Sequence, residues 1–288
     1  MKIAILGTEN SHAHAFATLI KNEEKYKDIE IVGVYGYDDE ANKRLLDDGL
    51  VTRVAKNYDE FLNEVDAVLV TARHGDHHHE YALPYVKKGI HAFIDKPFTV
   101  DLDKANELVA VAKESGALLC GGSSLKFLDD VKPMKRFADM HKKEGKLVGG
   151  SVGAPVSMVN EYGGFYFYSQ HLIEIMLTIF GTDVKKVFAK CDDKTKNRIS
   201  CIFDYGDYDV TAHFYDSYYY TASVYSKEGS KDMSTSNCIY CYENELDECF
   251  EMVRTGKMPD SFDRLLLPLK ILHAIEESYL EGKEVEIK

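Results

Sequence analysis

No apolar run in this 288-residue chain is long enough to span a bilayer, which takes about 20 consecutive apolar residues. Positive charge is scarce. Only 35 Lys and Arg stand against 48 Asp and Glu, a formal net charge of −13, and a surface of that sign excludes nucleic acid and anionic membrane as expected partners. Cysteine is sparse as well, with six residues scattered along the chain. The stretch Met1–Gly7 reads as a first strand and not as an export signal, because its apolar run is short and ends in a turn. A cytoplasmic protein with reduced thiols is therefore expected. Cys238-Ile239-Tyr240-Cys241 is formally a CxxC motif, but it lies in a β-like run, where positions i and i+3 face opposite sides. Buried thiols are expected there, not a zinc or redox site. There is no internal repeat and no low-complexity segment. What remains is ordinary globular composition, 45% hydrophobic and 29% charged, at a length that suits two modest domains.

The first 120 residues alternate strand and helix patterns. Apolar residues 2–6 lead into Gly7-Thr8-Glu9-Asn10-Ser11-His12 and then a helical stretch from Ala13 to Lys21, with Asn10 or Ser11 as its cap. A strand, a glycine-bearing turn and a helix open a dinucleotide-binding βαβ unit. Further strands are expected at 29–35, 51–54, 66–71, 90–94 and 117–120, with helices at 39–48, 58–65, 77–88 and 101–115. A kink is expected at Pro84, inside the third of these helices. Strands alternating with helices imply a parallel, doubly wound sheet. Beyond Gly121 the pattern changes. After one helix over 128–141, β-like runs dominate at 146–159, 184–190, 199–205, 210–215, 218–225 and 238–242, interrupted by a helix over 169–180. Two helices, 245–255 and 261–280, follow. This is the pattern of a second, α+β domain with a mainly antiparallel open sheet. The domains are placed at 1–121 and 122–288.

The chemistry gathers at Ile90-His91-Ala92-Phe93-Ile94-Asp95-Lys96-Pro97-Phe98. Ligands of open α/β sheets bind just beyond the carboxyl ends of the strands, where Lys96 would project beside Asp95. Pro97 holds Lys96 toward an extended backbone. An ammonium placed there could polarise a substrate hydroxyl; a surface Asp-Lys pair before a turn would look the same in these residues alone.

Taken together, the motifs resemble the glucose–fructose oxidoreductase and inositol dehydrogenase family (Gfo/Idh/MocA). They are Asp66–Thr71, His78 in the following helix, Gly89-Ile90-His91-Ala92-Phe93-Ile94-Asp95-Lys96-Pro97, and Gly163-Gly164-Phe165-Tyr166-Phe167-Tyr168-Ser169-Gln170-His171. The resemblance implies an N-terminal Rossmann domain and an NAD(P)-dependent oxidoreductase acting on CH–OH groups of a sugar, polyol or related cyclic substrate. It implies Lys96 at the reacting oxygen, His171 as proton acceptor or donor, and Asp95 beside them. It places the cofactor, NAD or NADP, against Gly7, Thr8, Glu9, Asn10, Ser11, His12, Tyr37, Asp38, Thr71, His74, His78 and Lys96. It also implies a homodimer or homotetramer through the C-terminal sheet, where Tyr208, Phe214, Tyr215, Tyr218, Tyr219 and Tyr220 are expected to line the interface.

The chain departs from the family pattern in three stretches. Glu9 and His12 stand where glycine or a small residue belongs, and a carboxylate opposes a pyrophosphate. Gly36 stands where the acidic ribose reader belongs, with Asp38 and Asp39 just after it and Lys43 and Arg44 farther on. Phe167 replaces the Asp of the second signature, so a proton relay that needs that group would have to draw on Asp95, Glu161 or Tyr168. Two other functions stay open on these residues. One is a metal-assisted, non-redox enzyme built on Glu9, His12 and His14 with Arg73, His74 and His77–His79, although no metal site is assigned. The other is a catalytically silent nucleotide- or sugar-binding member of the same fold.

Overall fold

The computed structural model describes residues 1–191, 197–236 and 239–288, with Ile239 described by its backbone alone. The chain divides into two compact units, and the division is not a single cut. The first comprises Met1–Gly122 and Tyr242–Leu266, the second Ser123–Cys241 and Leu267–Lys288. The expected boundary at Gly121 lies one residue from the first division, but the return of residues 242–266 to the N-terminal unit was not foreseen.

In the first unit, β1 (Lys2–Leu6), β2 (Glu30–Tyr35), β3 (Ala67–Val70), β4 (His91–Asp95) and β5 (Leu119–Gly122) form a parallel sheet in the order β2-β1-β3-β4-β5. Helices α1 (Ser11–Asn22), α2 (Asp39–Asp47), α3 (Asp76–Lys87) and α4 (Leu102–Ser115) alternate with these strands, as the right-handed crossover of a doubly wound sheet requires. The expected strand at 51–54 reduces to one bridge, Val34 to Val54, because Thr52 and Arg53 break the apolar run and Arg53 turns to Glu64. Residues 58–65 form turns and not a helix; seven or eight residues are too few to outweigh helix nucleation. Helix α3 runs on through Pro84.

The segment 238–242, expected as a strand, is a 3-10 turn over Ile239–Cys241 followed by α7 (Tyr242–Thr255). Tyr242, Leu246, Cys249, Phe250 and Val253 recur at helical spacing, and this period outweighs the β-branched start. Cys238 of the CxxC motif lies outside the described residues; Cys241 is buried and is not in a disulfide. Leu246, Cys249 and Phe250 of α7 join the apolar core of Ile3, Ile5, Phe16, Ile20 and Phe93. The Phe250 ring meets Tyr26 edge-on at 5.4 Å, and the Tyr26 hydroxyl donates to Asp247 at 2.7 Å.

The second unit holds β6 (Leu147–Pro155), β7 (Lys186–Lys190), β8 (Ile199–Asp204), β9 (Asp209–Tyr215), β10 (Tyr220–Ser226), β11 (Gly229–Thr235) and β12 (Val285–Glu286), in the order β11-β10-β6-β9-β8-β7-β12. Among the described residues, β6 and β9 pair in parallel and the other neighbours are antiparallel. Helices α5 (Val131–Lys143) and α6 (Tyr166–Phe180) pack against the sheet. Helix α8 (Phe262–Glu281) contains the second division between the units. Of the aromatics expected on the open face, Tyr208, Phe214 and Tyr220 are instead buried. Phe214 and Tyr220 fall on the inner phase of β9 and β10, while Tyr208, in the turn before β9, stacks on Tyr205 and donates to Phe180 O at 2.9 Å. No described helix is long and apolar enough to cross a membrane.

Phe250 tests the membership of α7. Phe250→Ala removes a fully buried ring from the first core and is expected to lower the stability of that unit by about 3–5 kcal/mol. Urea unfolding checks this; an unchanged midpoint would separate α7 from the core.

Candidate active site

Three loops at the carboxyl ends of β1, β3 and β4 build the site. Gly7 ends β1 with φ 103°, and a Cβ there would lie 2.2 Å from the Ala72 nitrogen. Only glycine permits that approach of the β1 and β3 loops. Thr71 fastens the same contact: its hydroxyl donates to Gly7 O at 2.8 Å. Thr8 turns inward and donates to Asn42 at 2.7 Å, and Asn42 in turn donates to Gly36 O at 2.8 Å. His78 is fully buried, its two ring nitrogens 2.6 Å from Pro97 O and 2.7 Å from Ala72 O. Thr8, Thr71 and His78, expected at the cofactor, thus have side chains that fasten loops to one another. Their burial leaves only their backbones to meet a ligand.

Asp95 is the centre of the arrangement. Its side chain is wholly buried at the end of β4. One carboxylate oxygen accepts the Lys96 backbone N–H at 2.7 Å. The other accepts His12 Nδ1 at 2.5 Å and the Asn10 amide at 3.2 Å. Burial pushes the Asp95 carboxyl upward, but His12 and Lys96 outweigh it and hold the group below the usual carboxylate range. Asn10 also caps α1 by accepting the His12 N–H, so one residue fixes both the helix start and the acid. The His12 ring is covered by Tyr242 of α7, 4.5 Å away.

Lys96 follows, 5% exposed and joined to Pro97 by a cis peptide. Burial pushes its ammonium below the ordinary lysine value, while Asp95 and Glu245 pull it back up. Glu245 is itself buried, one turn beyond Tyr242 on α7. Nothing in the sequence marked Tyr242 or Glu245, which reach this site from about 150 residues away; a helical reading of 242–255 would have put both on one face.

Glu9 does not point along the axis of α1. One of its oxygens accepts the Arg73 N–H at 3.0 Å, and the other is buried without a hydrogen-bond partner. Burial raises the Glu9 carboxyl above its ordinary value, and Asp38 adds to the rise. Asp38 caps α2, accepting the N–H groups of Glu40 and Ala41. Tyr37 is exposed, 5.9 Å from His77, and Ser11 is exposed at the start of α1. His74 accepts the Asp76 N–H at 3.1 Å.

The histidines weighed as metal ligands go separate ways: His12 to Asp95, His14 to Asp48 and His79 to Glu107. Among the described residues no group of three or more His, Cys, Asp or Glu is placed to hold a metal ion.

His171 belongs to the second unit. Helix α6 begins three residues earlier than expected, so His171 sits in its second turn, 7% exposed. Its Nδ1 lies 2.6 Å from the Ser123 hydroxyl. Phe167 is buried against Tyr162 and Tyr168. The partner that the missing Asp left open is a serine 48 residues upstream, which no motif in the sequence signalled.

Residues 1–122 match the GFO_IDH_MocA family, described as an oxidoreductase family with an NAD-binding Rossmann fold, and bear out the resemblance read from the motifs. The uncharacterized oxidoreductase YhhX of Escherichia coli (strain K12) is 29% identical over 137 residues, 43% of this chain and 38% of that protein. The match thus spans well under half of the curated relative. Myo-inositol 2-dehydrogenase from Lactobacillus plantarum superposes with a TM-score of 0.87 at 16% identity, covering 100% of this chain and 99% of that one. Scyllo-inositol dehydrogenase from Lactobacillus casei, solved with NAD(H) and scyllo-inositol, gives 0.83 at 14% identity, with 100% and 99% covered. At these identities the likeness is one of fold.

His12→Ala would leave the buried Asp95 carboxylate short of a hydrogen-bond partner. A loss of about 3–5 kcal/mol is expected at neutral pH, the usual result of breaking a buried pair, with a much smaller loss in the Asp95→Asn background. Because the folded carboxyl lies below its unfolded value of about 3.9, its stabilisation is present above that pH and disappears as the pH falls through the folded value. The gap between wild type and His12→Ala should therefore close on acidification below about pH 4. A gap that persists in acid, or in the Asp95→Asn background, would remove the pair as its cause.

Proposed function

We propose that this protein is an NAD-dependent oxidoreductase that interconverts a CH–OH group and a carbonyl on a sugar-like, polyol or cyclic substrate. The observation that carries this reading is Lys96, a buried ammonium at a parallel strand end in a loop system shaped for a dinucleotide. The residues fit the cofactor. Gly7 lets the β1 and β3 loops close up, α1 has no acidic residue in its first turn, and its free N–H groups suit a pyrophosphate. The partnerless Glu9 oxygen is an acceptor that a ribose hydroxyl would satisfy. Glu9 and Asp38 together disfavour a 2′-phosphate. Lys43 and Arg44, the cations available for one, pair with Asp47 and Asp48. NAD is therefore assigned in preference to NADP.

When bound, the nicotinamide supplies or takes the hydride. Lys96 holds the substrate oxygen. As a carbonyl is reduced, its ammonium stabilises the developing alkoxide and gives up a proton to it, leaving the amine. In oxidation the amine takes that proton back, and burial, which favours the neutral form of lysine, helps it do so. His171 of the second unit is assigned the family's proton-acceptor or donor role on its motif alone. Inositols, the substrates named for two structural neighbours, are the first compounds to try. The free thiols of the described residues suit a reducing, cytoplasmic compartment.

Titration with NAD(H) and NADP(H), followed by turnover on an inositol and polyol panel, tests the assignment. NAD should bind the more tightly. Glu9→Gln, which keeps the acceptor for Arg73, should tighten NADP by about tenfold, the equivalent of 1.4 kcal/mol. Lys96→Ala should keep NAD binding and lose about 10²-fold or more in turnover. If neither nucleotide binds, the dehydrogenase reading fails. Full turnover without Lys96 would remove the lysine from the chemistry.

The outer sheet face of the second unit supports self-association. Phe188, Ile202 and Tyr225 stand 41–48% exposed on β7, β8 and β10. A homodimer or homotetramer on that face is the proposed assembly. Light scattering at micromolar concentration should show it, and Ile202→Asp should shift the mass toward monomer; a monomeric wild type would contradict it.

A further inference from the structure

Resting on the NAD assignment, we infer that His12 is a pyrophosphate contact: its ring, tied to Asp95 through Nδ1, donates Nε2–H to a phosphate oxygen of the bound dinucleotide. The family pattern has a small residue at this place, so the contact belongs to this chain's own loop. His12 lies in the first turn of α1 and is 8% exposed. Asn10 takes its backbone N–H, which leaves the ring as what His12 offers a ligand. Nδ1 lies 2.5 Å from Asp95 Oδ2. A carboxylate can only accept, so Nδ1 carries a proton. Nε2 makes no hydrogen bond among the described residues, and it is not sealed from solvent as Glu9 Oε2 is. The opening it meets lies at the carboxyl ends of β1 and β4, where ligands of an open parallel sheet bind. A ring more than nine-tenths buried, with one nitrogen left open, has room for one partner there.

The surroundings select an anion. The first turn of α1 holds no acidic residue, and a helix start favours negative charge. With the Nδ1 proton engaged by Asp95, donation from Nε2 as well requires the imidazolium. In the complex that ring stands between two anions, Asp95 on one side and the phosphate on the other, and each favours its charged form. Dinucleotide affinity is therefore tied to the protonation of His12. The competing contact, a ribose hydroxyl donating to a neutral Nε2, needs no proton. On the elements packed around the ring, the titratable groups are Asp95 and Lys96 at the end of β4, His78 of α3 beside Asp95, and Tyr242 and Glu245 of α7. Glu9, Arg73 and His74 stand in the adjoining loops and His77 at the start of α3. A variant at position 12 separates the contribution of His12 from theirs.

The test is calorimetric titration of the full-length protein with NAD and with ADP-ribose, which keeps the pyrophosphate and lacks the nicotinamide. It runs from about pH 6 to about pH 9, across the range in which histidine changes charge. Binding favours the protonated ring, so affinity is highest at the acid end and is lost as the pH rises. Both ligands should bind about tenfold or more weakly at the alkaline end, and buffers of different ionisation enthalpy should show net proton uptake on binding. His12→Asn sets an amide N–H where Nδ1 stands, so the donor to Asp95 is kept and Nε2 is lost. It should flatten the slope and abolish the uptake, with its affinity near that of wild type at the alkaline end. The wild-type protein decides by itself if the variant does not fold: affinity that is flat with pH and free of proton uptake overturns the proposal. A slope seen with NAD but not with ADP-ribose overturns it too, because the ring would then serve the nicotinamide end, and so does a slope that His12→Asn retains. If neither ligand binds at any pH, the NAD reading fails and takes this contact with it. NAD binding without the slope sinks this contact alone.

Discussion

The buried carboxylate of Asp95 is the constraint on which the first unit's loops depend. A carboxylate at zero exposure is tolerable only with its lone pairs filled, and here the donors come from three places. The Lys96 backbone supplies one, the Asn10 amide another and His12 a third. Asn10 is the N-cap of α1 and His12 lies in its first turn, so the acid on β4 helps to fix where α1 begins. This also accounts for His12 at a position where the family pattern expects a small residue. Its ring fills space between α1, β4 and Tyr242 and supplies a hydrogen-bond partner for Asp95. The substitution is bulky, but it is compensated on three sides.

Such an arrangement is unfavourable for stability taken alone. Lys96 and Glu245 are buried charges, and the desolvation cost of such groups often exceeds what their attraction returns. The partnerless Glu9 oxygen adds a further cost. An apolar core of the same volume would be at least as stable. Costs of this kind gather at sites that bind something, because a group left unsatisfied in the free protein is satisfied by the ligand. At the opposite ends of the strands, charged side chains form exposed pairs such as Lys27 with Glu24 and Lys2 with Glu30.

What the sequence made legible was local. Strand-turn-helix alternation over residues 2–122 and the Asp95-Lys96-Pro97 end of β4 depend on neighbours within a few positions, and both were readable. The second sheet was readable as a class from its period-two runs, but not its single parallel pair, β6 with β9, which depends on long connections. The aromatic run from Tyr208 to Tyr220 misled because an alternating strand buries every other residue, and composition does not reveal the phase. The partners of the site residues were not readable at all. Tyr242 and Glu245 approach Lys96 and His12 only because α7 returns to the first unit, and Ser123 reaches His171 across 48 residues. Pairings of that kind are set by tertiary packing and leave no trace in spacing.

The two histidines show how the same side chain is set to different tasks. An imidazole has two nitrogens, and the partner on one decides the chemistry of the other. His12 has a carboxylate, which can only accept. His171 has the Ser123 hydroxyl 2.6 Å from its Nδ1, and Phe167 stands where the family pattern has its Asp. The departures at positions 9, 12 and 167 are in this sense connected: each shifts charge or proton capacity away from the family pattern, and each has a counterpart, at Arg73, Asp95 and Ser123, that makes the shift physically coherent.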